Sequence, residues 1–267
     1  LGLPYPEEGL AALRMWGQTG DRPTVWIAAA DPVYLEPRLD RLCLHALRKP
    51  GIESSDLRPL FDHLQEILAT DKRFGFARLG SNGYLRAEQP ISTSSVPAYV
   101  VDQRDPSEFL PSGEHTVSHR NILSEIEMTL HEHDVNERRV AEGQQPVNSL
   151  WLWGGGMAPE KTTRPQPPLF SDDPLLAGYW ESATAVCDLW PGNFGACADA
   201  SLHGFVAVTP ETDLRHETME TYLLELRELL RTNRVRRLIL LFRDGLRAEV
   251  RRSQTLKFWR RDNALLD

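Results

Sequence analysis

The 267 residues carry 30 lysines and arginines against 38 aspartates and glutamates, a formal net charge of -8, and 41% of them are apolar. That apolar share is enough for a sizeable core, while the acidic balance excludes a nucleic-acid partner, which would need a basic face to neutralise phosphates, and favours no anionic membrane surface. Three cysteines without CxxC spacing indicate neither a zinc site nor a disulfide framework, which fits a reducing cytoplasm.

No apolar run approaches the roughly 20 residues that span a bilayer, and "LGLPYPEEGL" lacks the basic and apolar regions of a signal peptide. In chain order, "TVWIAAADPVYL" reads as a buried strand broken by Pro32, and "RLDRLCLHALRK" reads as a helix after it. "SSDLRPLFDHLQEILA" is the clearest helix of the first half. Ser54 or Ser55 is its expected cap, Pro59 is placed in its first turn, and Leu57, Leu60, Phe61, Leu64, Ile67 and Leu68 make its apolar stripe.

"RFGFARL", "YLRAEQ" and "AYVVDQ", separated by Gly, Asn and Pro turns, have hairpin or meander spacing. Helical period returns from Ser112 to Gly143, with Ile122, Leu123, Ile126 and Leu130 inward and Gly143 as the stop. "PVNSLWLWGGG" follows as a strand, Pro-rich "KTTRPQPPLF" as a surface loop, and "DDPLLAGYWESATAV" as a helix capped by Asp172 or Asp173.

In the final third, "GFVAVT", "DLRHETMETYLLELRELLRTN" and "RRLILLFRDG" read as strand, helix and strand, which suggests a crossover unit. "RDGLRAEVRR" reads as a hairpin turned at Asp244-Gly245. The expectation is one α/β domain over residues 1–267 with a mixed sheet flanked by helices, a sub-division near Pro111 being conceivable.

"ADPVYL" at Ala30, "LPSG" at Leu110, the run from Leu123 to Gly156 and "FWRR" at Phe258 together resemble bacterial RpfE-type regulatory proteins. The central piece is similar to archaeal-type cofactor-independent phosphoglycerate mutases, through Asn136, Arg139, Gly143, Asn148, the strand Leu150 to Trp153, and Gly154 with Gly156. The resemblance implies an alkaline phosphatase-like core, here in reduced form. In that superfamily two metal ions are held by Asp and His beside a Ser or Thr that is transiently phosphorylated, an arrangement that needs hard donors converging at sheet edges.

The sequence departs from that pattern. It has no Asp-Gly start near the N-terminus and no late Asp-His pair after a terminal strand. Asp244 after "RLILLF" is a lone carboxylate, and the neighbours Asp62 and His63 lie mid-helix. The reading is therefore no catalytic residue, no metal ligand and no cofactor.

For a ligand, the candidate residues are Asn136, Arg139, Asn148, Trp151, Trp153, Gly154 and Gly156. Free amides of the Gly run would cradle an anion and Arg139 would point its fork at one. The structural alternatives are a loop clamp by Asn136, Arg139 and Asn148, and a core strand whose alternation sends Leu150 and Leu152 to one face and the two tryptophans to the other. His115 and His119 lack a carboxylate spaced for HExxH, His131 and His133 point about 200° apart on a helix at roughly 100° per residue, and Cys187 and Cys197 have no neighbour that activates a thiol.

The sequence thus predicts a cytoplasmic, non-catalytic phosphoglycerate mutase-like protein that senses a small anionic ligand or a protein partner. An active metal-dependent phosphomutase or phosphatase is one alternative. A protein-interaction module using the Pro-rich loop at Pro165 to Pro168 or a sheet edge is the other.

Overall fold

In the computed structural model, residues 6, 8–48, 51–70, 73–112, 116–210, 216–242 and 245–255 are described. His115, Asp244 and the "FWRR" run at 258–261 lie outside them. The chain divides into two compact units, Leu1–Thr162 with Pro174–Ser182, and Thr163–Asp173 with Ala183–Asp267. Pro111 lies inside the first.

The first unit is built on β1 (Ile27–Pro37), which pairs antiparallel along one edge with β4 (Asn82–Ala87) and then β2 (Leu42–Ala46), and along the other with β5 (Ser149–Gly156). β3 (Phe74–Leu79) completes the sheet as the hairpin partner of β4.

Both faces of this sheet are covered. On one lie α2 (Ser54–Leu68), α4 (Thr116–His131) and α5 (Asp134–Ala141), and their Leu57, Phe61, Ile122, Ile126 and Val135 join Ala28, Leu85, Leu150 and Leu152 in one core. On the other lie α1 (Leu10–Thr19), α3 (Ala98–Val101) and α6 (Pro174–Ser182), where Leu13, Trp16 and Val101 join Ala29, Tyr84, Trp151 and Trp153. The alternation read from "SLWLWGGG" is thus observed, and each large side chain fully buried there is worth about 1.5–3 kcal/mol.

Several local expectations are corrected. Pro32 does not break β1. Its carbonyl accepts from Leu47 N–H at 3.1 Å, and in an extended chain its missing donor would point the same way, into the gap between the end of β4 pairing at Ala29 and the start of β2 pairing at Val33. No ladder bond is lost.

The helix expected over 38–49 is instead a turn closed by Arg38 N–H donating to Arg41 O at 2.9 Å, followed by β2. Backbone groups of β1 left unpaired beyond Pro32 need partners, and that tertiary demand outweighs the helix propensity of the segment. "AYVVDQ" begins as the short helix α3 rather than as a strand.

In α2 the cap is Glu53, without a side-chain bond, because the Ser54 hydroxyl reaches Gly80 O and accepts from Arg78. Pro59 falls in its second turn and Ile67 is exposed. The helical stretch 116–141 is two helices, since His133 leaves helical geometry and caps α5 by accepting from Val135 N–H. Gly143 takes φ 73° and donates to Val140 O at 3.0 Å, the expected stop.

The second unit holds a small parallel sheet, with β6 (Leu169–Phe170) between β7 (Cys187–Asp188) and β8 (Val206–Ala207). It also holds α7 (Phe194–Asp199), α8 (His216–Arg231), the hairpin of β9 (Arg237–Leu241) with β10 (Arg247–Arg251), and α9 (Arg252–Thr255). Its core gathers Phe194, Tyr222, Leu226 and Leu229. The strands flanking α8 belong to different sheets, so the expected crossover unit is not formed. The hairpin is present, with Gly245 at φ 86°.

Candidate functional site

Asn136, Arg139 and Asn148 come together where α5 turns back into β5. Asn136 donates through Nδ2 to Leu130 O and Val147 O, and its Oδ1 accepts from Val147 N–H, all at 2.8 Å. One buried amide thus replaces the strand partner that Val147 lacks and holds one carbonyl in the last turn of α4, that of Leu130.

Arg139 is 2% exposed. Its Nε donates to Gln145 O at 2.9 Å, Nη1 to Asp56 Oδ2 at 2.7 Å and Nη2 to Gly51 O at 2.8 Å, while Arg138 Nη2 donates to the second oxygen of Asp56 at 2.6 Å. Asp56 sits in the first turn of α2, where the helix dipole also favours its charge. The guanidinium fork is aimed at the protein's own loops.

Asn148 accepts from Leu35 N–H at 2.7 Å and returns its Nδ2 to Leu35 O at 2.9 Å. This side-chain amide imitates a peptide group and extends the ladder past the Val33–Ser149 pair. The three residues form the clamp that the sequence left as one of two readings.

The tryptophans of β5 anchor the opposite face. Trp151 Nε1 donates to Val96 O at 2.9 Å, and Trp153 Nε1 donates to Asp31 Oδ2 at 2.6 Å. The other oxygen of Asp31 accepts from Arg14 Nη1 at 2.7 Å. Arg14, buried, spreads its guanidinium over the rings of Tyr84 and Trp153, at 4.7 and 5.2 Å from their centroids, and donates to Tyr84 Oη and Gly83 O. Burial opposes its charge, yet Asp31 and the phenol raise its pKa above the ordinary value. Tyr84, raised in turn by burial, donates to Gln18.

The glycine run serves close approach. Gly154 has φ 61°, and a Cβ there would sit 3.0 Å from that of Leu10; at Gly156 it would sit 2.4 Å from Gly9 N. The Gly154 and Gly155 amides donate to Ser94 O and Thr93 Oγ1, and Gly155 O accepts from Gly9 N–H. The backbone groups expected to cradle an anion bind the 93–94 loop, while Gly155 O binds the residue before α1.

Two features were not legible as sites. A depression of about 510 Å³ is lined by His63, Glu127, His131, Glu132 and His133. In it the His133 ring meets His63 edge-on at 5.2 Å, and burial and then that neighbour lower its pKa. On the β1–β2 hairpin, ligand atoms of Glu36, Cys43 and His45 all lie within 4.8 Å of one another, the one such group of three His, Cys, Asp or Glu among the described residues. The alternation C-L-H was its signal, hidden by the helix assignment.

His119, buried, holds Ser92 O by Nδ1 at 2.8 Å. Cys197 is buried, which pushes its thiol up to about 11. No helix among the described residues is long and apolar enough to cross a membrane.

No family model matches the chain. It is 26% identical over 194 residues to a Geobacter sulfurreducens protein named "Probable 2,3-bisphosphoglycerate-independent phosphoglycerate mutase", covering 72% of this chain and 46% of that one. To the 2,3-bisphosphoglycerate-independent phosphoglycerate mutase of Methanothrix thermoacetophila it is 38% identical over 102 residues, 38% of this chain and 24% of that one. Among solved structures, the PH0037 protein from Pyrococcus horikoshii has a similar fold, with TM-score 0.51, 12% identity, and coverage of 86% of this chain and 60% of that one.

The chain is therefore a mixed α/β protein with sheets flanked by helices, similar in sequence to cofactor-independent phosphoglycerate mutases. It spans about half the length or less of the curated relatives it matches.

Proposed function

We propose that the chain is a non-catalytic phosphoglycerate mutase-like protein of the RpfE regulatory type, sensing a small anionic ligand or a protein partner in the cytoplasm. The observation that carries this reading is the use of the mutase-like stretch. The polar groups of Asn136, Arg139, Asn148, Gly154 and Gly155 are turned inward onto Leu130, Val147, Gln145, Asp56, Gly51, Leu35 and the loop at 93–94. Side chains engaged in this way stabilise a scaffold, and the buried Arg139 fork is directed at the protein's own carbonyls and at Asp56 rather than at a phosphoryl group.

Divalent-metal analysis and a turnover assay on the purified chain test this reading. Phosphoglycerate mutase and phosphatase assays with manganese or zinc are expected to stay at background. Two equivalents of bound metal accompanied by turnover would overturn it and favour the second reading, an active metal-dependent phosphomutase or phosphatase, which the sequence similarity supports.

A further inference from the structure

Glu36 and Cys43 face each other across the β1–β2 ladder, and His45 follows Cys43 by two residues on the same strand. Alternation therefore puts all three side chains on one face of the hairpin. Glu36 Oε2 lies 3.0 Å from His45 Nε2, and a ligand atom of Cys43 lies within 4.8 Å of both.

Tyr34, opposite His45 in the ladder, stacks on its ring with centroids 5.8 Å apart and fixes its direction.

We propose that Glu36, Cys43 and His45 form a binding site for one zinc-class divalent cation. A thiolate, an imidazole and a carboxylate are the donors that borderline-soft zinc accepts, and three protein ligands leave a fourth position for water. Two of the donors are anions, so they balance the dication. On binding, the Cys43 thiol gives its proton to solvent and forms the metal–sulfur bond.

Bond lengths of about 2.0–2.3 Å put tetrahedral donors roughly 3.3–3.6 Å apart, so Glu36 and His45, 3.0 Å apart, need almost no rearrangement, and the Cys43 sulfur, within 4.8 Å of both, has at most about an ångström to close. Cys43 is itself 2% exposed and borders a depression of about 360 Å³ shared with Arg38, Arg41, Gln103, Arg104, Asp105 and Glu108.

Arg38 is the competitor. Its Nε and Nη2 donate to the same Glu36 oxygen at 3.2 and 3.1 Å, where the cation would bind, and with 47% of its side chain exposed it is free to swing into water. This site is separate from the clamp and does not rest on the reading above.

The test uses the full chain, stripped with a chelator and titrated separately with zinc and cobalt(II). The expected result is one equivalent bound, one proton released, and a thiolate-to-cobalt charge-transfer band. Cys43→Ser should abolish the band, and Glu36→Gln should weaken zinc binding at least as much as the roughly 10–100-fold typical of losing an outer-shell partner. Arg38→Ala should tighten binding, which an ordinary surface ion pair would not do.

Cys187→Ser and Cys197→Ser should leave the band unchanged. Absence of the band in the wild-type chain, or zinc binding unaffected by Glu36→Gln, overturns the proposal even where Cys43→Ser fails to fold.

Discussion

Arg139 and Asp56 meet at 2.7 Å although 83 residues separate them in the chain, and their contact joins α5 to the first turn of α2. Arg138 reaches the other oxygen of the same carboxylate, so Asp56 receives two guanidinium groups while only one of them is buried. That asymmetry predicts which arginine matters for stability.

Arg139→Ala should destabilise the first unit by about 3–5 kcal/mol, because removing one partner of a buried pair leaves Asp56, Gly51 O and Gln145 O short of donors. Arg138→Ala, at the exposed end, should cost about 0–1 kcal/mol. Urea midpoints of the two variants check this. A change of under about 0.5 kcal/mol for Arg139→Ala would count against a clamp and favour a ligand-facing guanidinium.

Gly154 and Gly80 share φ 61° but differ in surroundings, since nothing lies within 4 Å of a Cβ at Gly80. Gly80→Ala isolates the cost of the left-handed backbone, about 1–2 kcal/mol. Gly154→Ala should exceed it by about another 1 kcal/mol or more, because the start of α1 must shift. Thermal melts of the pair, compared side by side, give the difference.

Cys197 keeps its proton in the fold up to about 11, against an ordinary 9.0. Unfolded chain releases that proton sooner, so this group's contribution to stability is intact below 9.0 and is lost as pH rises towards 11. Iodoacetamide at mildly alkaline pH should therefore leave Cys197 unmodified in the native chain and label it in urea, as read by peptide mass.

His119 titrates in the opposite sense. Burial, outweighing the bond to Ser92 O, lowers its pKa from 6.5, so the folded state prefers the neutral ring. The unfolded state binds the proton first, so this contribution to stability is intact above 6.5 and is lost as pH falls below it through the lower folded pKa. NMR of the His119 ring protons should show a midpoint below 6.5, and an ordinary midpoint would sink the assignment.

The parts of the fold that were legible in the sequence are those whose signal is local. In "SLWLWGGG", alternation alone sorted Leu150 from Trp151, and periodicity alone found α2. β2 was misread because five residues of "LCLHA" suit either period, and only the unpaired edge of β1 decides between them. The same error hid Glu36, Cys43 and His45, which become neighbours only once the hairpin closes. Asp56 was equally invisible as a partner of Arg139, since nothing near it in the chain announces a buried guanidinium.

The placement of β1 has a consequence for how the chain comes to be folded. It is made well before its partner strand, since Trp153 lies 122 residues after Asp31. Until β5 emerges from the ribosome, one edge of an apolar ribbon stands open, and distant pairings of this kind close slowly and invite aggregation. A chain truncated before Ser149 should accumulate as insoluble material or on a chaperone, and the 267-residue chain should refold with a slow phase that Asn148→Ala lengthens.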